Sequence, residues 1–115
     1  MLITINVADV DETETIQVTV APNNNGSGNV YVINGVQKAN ISLQRSKQYN
    51  FIHPSGHPFR FSESSDGTHG GGSEYTTGIT KTSGSTIISF NSSSPSNLYY
   101  YCSIHSNMGG SITVN

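Results

Sequence analysis

Residues 99–110, YYYCSIHSNMGG, contain the only cysteine of the chain. His105 follows Cys102 at the third position, and Met108 follows His105 at the same spacing. A thiolate, an imidazole and a thioether are donors that a soft, polarisable metal ion prefers. Such a set needs a second imidazole from elsewhere in the chain. The stretch is therefore predicted to form half of a metal site.

The composition favours a single β-rich domain over residues 1–115. Charged residues make up only 10% of the chain and the formal net charge is −2, so the sequence offers no basic surface. Binding to nucleic acid or to an anionic membrane is not expected. Six Tyr and four Phe can build a core, although only 33% of the residues are hydrophobic. A single cysteine excludes an intrachain disulfide, so Cys102 is free, bonded to another chain, or a ligand.

Apolar and polar residues alternate in many short segments, which is the pattern of half-buried strands. Turn signals such as Asn34-Gly35 and Ser83-Gly84 separate these segments, and none shows helical periodicity longer than one turn. About eight to ten short strands at this spacing indicate an all-β sandwich or barrel. The predicted strands cover residues 2–7, 15–20, 29–33, 41–43, 48–52, 57–61, 75–79, 86–90, 98–102 and 111–114.

Three other histidines could supply the second imidazole. His57 follows Ser55-Gly56 at the start of an aromatic strand, with 44 residues between it and Cys102, and is the preferred candidate. His53 lies on the other side of Pro54 and would approach from a different part of that loop. His69 lies in a glycine-rich loop over residues 66–73 and is the least suitable of the three.

The motif Gly56-His57-Pro58 before one strand, with Cys102-x2-His105-x2-Met108 before the last strand, resembles the copper-binding pattern of the cupredoxins, the blue copper proteins. The resemblance implies a Greek-key β-sandwich with one copper ion per chain. It implies His57, Cys102 and His105 as equatorial ligands and Met108 as the axial ligand. The residues expected to surround these ligands are Pro58, Gly109 and Tyr101.

Simpler interpretations of the same residues remain open. Free cysteine is among the most buried residue types, so Cys102 could be a core residue beside a surface histidine. Met108 could likewise fill the core instead of binding a metal. Zinc accepts Cys and His ligands as readily as copper does, but methionine is a poor zinc donor, which favours copper.

One position departs from the cupredoxin pattern. The residue after the first histidine is usually Asn, whose backbone N–H bonds the cysteine sulfur, whereas here it is Pro58, which has no N–H. Hydrogen bonds to the sulfur tune the reduction potential of such sites. Their loss leaves a more electron-rich thiolate, so a lower reduction potential is expected than in a relative with Asn.

A closer likeness covers residues 30–115, where the strings HPFRFS and DGTHGGGSEYTTG precede the Cys loop. These strings resemble short cupredoxin-like modules of marine phage structural proteins and bacterial surface proteins.

The two resemblances lead to two hypotheses about the function. The first is a non-enzymatic copper domain that transfers one electron or holds the metal, with a redox partner protein. The second is a virion or adhesion module in which the fold is a scaffold, copper is structural or absent, and the partners are other subunits or further copies of the chain.

The N-terminal residues 2–7 alternate like a strand and lack the basic region and continuous apolar stretch of a signal peptide. No run of residues approaches the length that crosses a membrane. A free thiolate and copper fit poorly with a reducing cytosol. The sequence therefore favours a virion-associated location over a cytoplasmic one.

Overall fold

The computed structural model describes residues 13–115, which form eleven short strands and one turn of 3₁₀ helix over Gly67–Gly70. The strands are β1 (Thr13–Pro22), β2 (Asn29–Ile33), β3 (Val36–Gln37), β4 (Ile41–Leu43), β5 (Gln48–Ile52), β6 (Phe59–Ser62), β7 (Glu74–Tyr75), β8 (Ile79–Lys81), β9 (Ser85–Ser89), β10 (Asn97–Cys102) and β11 (Ser111–Val114). The strand predicted over residues 2–7 lies outside the described residues. Within residues 13–115, no helix is long and apolar enough to cross a membrane.

The strands form two sheets that pack face to face, which confirms the predicted all-β sandwich. The first sheet has the order β3-β2-β1-β5-β9-β8, and the second has the order β4-β11-β10-β6-β7. Strand β1 changes partner along its length: residues 13–17 pair parallel with β5, and residues 18–22 pair antiparallel with β2. Strands β4 and β11 also pair in parallel.

The core lies between the sheets and follows the alternation that the sequence predicts. In β5, Tyr49 and Phe51 are buried while their neighbours are only partly covered, because successive side chains of a strand point to opposite faces. The ring of Phe59 stacks between those of Phe51 and Tyr100, at centroid distances of 4.9 Å and 5.1 Å. Each such aromatic pair adds roughly 0.5–1.5 kcal/mol beyond the area it buries. This stack joins β5 of the first sheet to β6 and β10 of the second.

The prediction of one continuous strand over residues 75–79 was wrong. Glu74–Tyr75 pairs with β6 in the second sheet, whereas Ile79–Lys81 pairs with β9 in the first. Gly78 makes the change of sheet possible, because its φ of 72° is accessible at little cost only to glycine. The carbonyl oxygen of Gly78 accepts a hydrogen bond from the backbone N–H of Ser89 at 2.9 Å. This division, together with the two-residue strand β3, brings the number of strands above the predicted range.

Strands β6 and β10 bring two distant parts of the sequence to the same end of the second sheet. They pair antiparallel, with Cys102 opposite Phe59. The residue two positions before Phe59 is His57, so the start of β6 and the end of β10 carry His57 and Cys102 to one edge of the sandwich. This pairing of β6 with β10 therefore brings together two residues of the predicted site that are far apart in sequence.

Candidate metal centre

Three side chains meet at this end of the sandwich. One ligand atom from each of His57, Cys102 and His105 lies within 4.8 Å of the others. The sulfur of Cys102 is 3.6 Å from Nδ1 of His105 and 3.9 Å from Nδ1 of His57. The two imidazole rings are tilted by 43° to each other, with their centroids 5.0 Å apart. The second imidazole that the Cys102 loop requires is thus placed beside the sulfur, and it is the one from His57.

These distances suit a single metal ion. Two donors bound at about 2.0–2.3 Å and separated by a bond angle of 110–120° stand roughly 3.6–3.8 Å apart. The sulfur–nitrogen distances of 3.6 Å and 3.9 Å are close to that spacing. Both Nδ1 atoms face the sulfur, so each could bind the same ion without a change of loop. The donor set of two imidazoles and one thiolate fits copper, as well as zinc.

The cluster is buried on the sulfur side and open on the imidazole side. Cys102 is completely buried, His57 is half-buried and His105 is exposed. Burial, and then the neighbouring His105, lower the pKa of His57 below its ordinary value. A lowered pKa favours the neutral imidazole at neutral pH, and the neutral ring is the form that binds a metal.

Met108 lies beneath the same site. It is completely buried, and it lines a pocket together with His57, His105 and residues 27–29, where the chain enters β2. It also belongs to the core between the sheets. Its position is compatible with the axial ligand that the resemblance implies and with the core role that the sequence left open.

Tyr31 connects the loops that carry these residues, and nothing in the sequence predicted it. Its hydroxyl donates to the carbonyl oxygen of His57 at 2.6 Å, and its backbone N–H donates to the carbonyl oxygen of Met108 at 3.0 Å. Tyr31 is fully buried, and burial together with Cys102 raises the pKa of its hydroxyl. The hydroxyl therefore stays protonated and remains a donor. The only sequence signal was a tyrosine on the inward side of a strand.

The three residues expected around the ligands take different positions. Pro58 follows His57 and offers no N–H, but its carbonyl oxygen accepts from the backbone N–H of Ser103 at 3.2 Å. Gly109 lies against the backbone of Tyr100, where a Cβ would overlap the carbonyl oxygen. Its φ is not positive, so glycine is required there by close packing and not by a left-handed turn. Tyr101 is buried on the opposite face of β10 from Cys102.

The other two histidines do not join the cluster. His53 is buried in the core, where its ring stacks on Phe59 at 6.0 Å. Its Nδ1 lies 2.9 Å from the carbonyl oxygen of Pro54, and its Nε2 lies 3.2 Å from the hydroxyl of Thr86. His69 is exposed, and its Nε2 lies 2.8 Å from the backbone carbonyl oxygen of Cys102. His69 thus contacts the backbone of the site and not its sulfur.

No protein-family model matches the chain, and no curated protein matches it significantly. Among solved structures, similar chains include rusticyanins. A structure of rusticyanin variants is 14% identical with a TM-score of 0.51, covering 90% of this chain and 77% of its own. Rusticyanin from Thiobacillus ferrooxidans is 16% identical with a TM-score of 0.47, covering 92% and 82%. A further structure of the copper protein rusticyanin is 17% identical with a TM-score of 0.48, covering 92% and 83%.

At these identities the likeness concerns the fold. The first of these structures matches over most of both chains. Rusticyanins are cupredoxins, so the architecture that the Cys102 motif predicted is the one observed. The chain has the cupredoxin fold.

Proposed function

We propose that this chain is a copper-binding domain that holds one copper ion through His57, Cys102 and His105, with Met108 as a weak fourth ligand. The observation that carries the proposal is the convergence of two imidazole nitrogens and one buried sulfur within 4.8 Å. These residues come from the start of β6, the end of β10 and the loop that follows it. Two surface histidines that were close together only by chance would not be expected to have a buried cysteine sulfur between them.

One-electron transfer is the activity that this arrangement supports best. Copper, when bound, supplies a couple between its +1 and +2 states. The protein keeps the ligands in one geometry, because Tyr31 and the β6–β10 ladder hold the loops on which they lie. Cys102 is shielded from water, and exposed His105 provides a route for an electron to a partner protein. All four donors are protein groups, so no position is left for a substrate, and we propose no enzymatic activity.

Addition of Cu(II) to the metal-free protein tests this function. The expected result is one copper per chain and an intense blue or green colour from charge transfer between sulfur and copper. Cys102→Ser removes the colour, and His105→Ala weakens copper binding. Ile104→Ala is the matched control, because Ile104 is the neighbouring loop residue and its exposed side chain supplies no donor. This variant keeps the colour and the stoichiometry.

Two results would overturn the proposal. A colourless protein that takes up no stoichiometric copper would favour the scaffold role considered from the sequence. A protein that takes up one zinc in preference to copper would assign the cluster to a structural zinc site. Voltammetry of the copper form separates electron transfer from metal storage, because only the former requires a reversible couple at an electrode.

A further inference from the structure

The glycine-rich loop contacts both ends of the loop between Cys102 and Met108, and it also packs on the preceding strand β10. We call residues 66–72 the brace turn. It is compact: the backbone N–H of His69 donates to Asp66 at 3.1 Å, and that of Gly72 donates to Gly67 at 3.0 Å. Asp66 and Gly71 flank the 3₁₀ turn in left-handed conformations, with φ of 60° and 91°. The segment therefore has a defined shape of its own.

The first contact is at the end of the ligand loop. The carboxylate of Asp66 accepts the backbone N–H of Asn107, with one oxygen at 2.9 Å and the other at 3.1 Å. Asn107 has a φ of 63°, a left-handed conformation that costs free energy for residues other than glycine, although less for Asn than for most. A charged acceptor makes a stronger hydrogen bond than a neutral one, so Asp66 can offset this cost. Asn107 immediately precedes Met108.

The second contact is at the beginning of the ligand loop. Nε2 of His69 lies 2.8 Å from the carbonyl oxygen of Cys102. A carbonyl oxygen only accepts, so Nε2 carries the proton and donates. The next residue, Ser103, donates its own N–H to Pro58 at 3.2 Å. The peptide that follows Cys102 is thus held from both sides, by the brace turn and by the residue after His57.

The third contact is apolar packing on the outer face of β10. Gly67 lies directly on the ring of Tyr101, where any Cβ would overlap the ring carbons. The ring of His69 meets Tyr101 edge-on, at a centroid distance of 6.2 Å. This packing accounts for the burial of Tyr101 on a sheet face that would otherwise meet solvent, and it raises the pKa of the Tyr101 hydroxyl.

From these three contacts we infer that the brace turn positions the metal ligands, with Asp66 and His69 as the positioning residues. It holds both ends of the loop between Cys102 and Met108, so that His105 is presented in one orientation before metal arrives. The inference rests on the proposed function for its meaning. The brace turn is nevertheless expected to restrain the loop between Cys102 and Met108 in the metal-free protein as well.

Substitution of His69 tests the inference without disturbing the core, because His69 is exposed. His69→Phe keeps a ring against Tyr101 but has no donor for Cys102. The expected result is that backbone amides of residues 103–107 exchange their hydrogens about fivefold faster in the metal-free protein, as the loss of one hydrogen bond predicts. Copper release from the loaded protein is expected to accelerate by a similar factor. His69→Gln keeps an N–H near the same place and restores both rates.

Asp66 provides a second, independent variant. Asp66→Gly tolerates the left-handed backbone but removes the carboxylate, and it is expected to accelerate exchange at Asn107 in particular. Asp66→Asn keeps one acceptor oxygen and gives an intermediate rate. Unchanged exchange and unchanged copper release in both His69→Phe and Asp66→Gly would overturn the inference. If the wild-type protein bound no copper, the proposed function would fail, while the exchange rates of the metal-free variants would still decide whether the brace turn stiffens the loop.

Discussion

The hydroxyl of Tyr31 donates a hydrogen bond to the carbonyl oxygen of His57 at 2.6 Å, across the interface between the two sheets. Tyr31 belongs to β2 of the first sheet, and His57 precedes β6 of the second. The backbone N–H of the same tyrosine holds Met108. One buried residue thus contacts two predicted ligands that lie far apart in sequence, His57 through its side chain and Met108 through its backbone.

Tyr31→Phe is expected to lower the free energy of unfolding by about 1 kcal/mol, because the partly buried carbonyl oxygen of His57 loses its donor. It is also expected to speed copper release, since His57 becomes less restrained. Urea denaturation of the metal-free protein measures the first effect, and competition with a chelator measures the second.

Tyr100→Phe is the matched control for this variant. Tyr100 is equally buried, and its hydroxyl donates to the carbonyl oxygen of Ala39 at 2.7 Å, away from the predicted ligands. A similar loss of stability is expected, with the rate of copper release unchanged. Equal acceleration of release in both variants would show that general loosening, and not the contact with His57, controls the metal.

Met108→Leu distinguishes the two roles of Met108. The substitution nearly conserves the side-chain volume, so we expect the free energy of unfolding to fall by less than about 1.5 kcal/mol. If Met108 is the axial ligand, removal of its sulfur withdraws electron donation from the oxidised metal and raises the reduction potential. Voltammetry of the copper forms measures the change. A potential identical to that of the wild type would assign Met108 to the core alone.

Pro58→Asn is expected to raise the reduction potential. The substitution restores the backbone N–H that bonds the cysteine sulfur in the cupredoxin pattern, and such a hydrogen bond makes the thiolate a weaker donor to the oxidised metal. Pro58→Ala also frees the N–H and should raise the potential in the same direction, which separates the backbone effect from that of the Asn side chain. An unchanged or lowered potential in both variants would contradict the prediction.

Gly67→Ala tests the packing of the brace turn on Tyr101. Gly67 has a φ of 55°, and an added Cβ would overlap the Tyr101 ring. Gly71→Ala is the control, because Gly71 also has a positive φ, 91°, but open space around it. Backbone strain alone is expected to cost about 1–2 kcal/mol at Gly71. Overlap adds about 1–3 kcal/mol at Gly67, and denaturation of the two variants measures the difference.

Much of the fold could be predicted because the alternation of side chains is local. The strands over residues 29–33, 41–43 and 48–52 have the bounds that the pattern predicted. The prediction of a strand over 75–79 was wrong because a change of sheet depends on which strands are available for pairing. The two partners, β6 and β9, lie elsewhere in the sequence. Gly78 was the one local sign of the break.

The grouping of His57, Cys102 and His105 could be predicted because the chemistry of a soft-metal site limits the residue types and because few histidines are present. That they bind copper stays a prediction. Tyr31, Asp66 and His69 were not predicted as neighbours of the site. Their contacts are with backbone atoms of the ligand loops, and a hydrogen bond to a carbonyl or an N–H leaves no signature in residue type or spacing.

Tyr31 lies in the opposite sheet and therefore connects the candidate metal centre to the packing of the two layers. The two layers cannot part without breaking the bonds of Tyr31 to His57 and Met108. If copper binds at this site, as we propose, its binding is expected to be linked thermodynamically to global folding. A ligand that binds only the folded state and is present at one hundred times its Kd increases the free energy of unfolding by about 2.7 kcal/mol. Copper loading should raise the midpoint of a single unfolding transition instead of creating a second one.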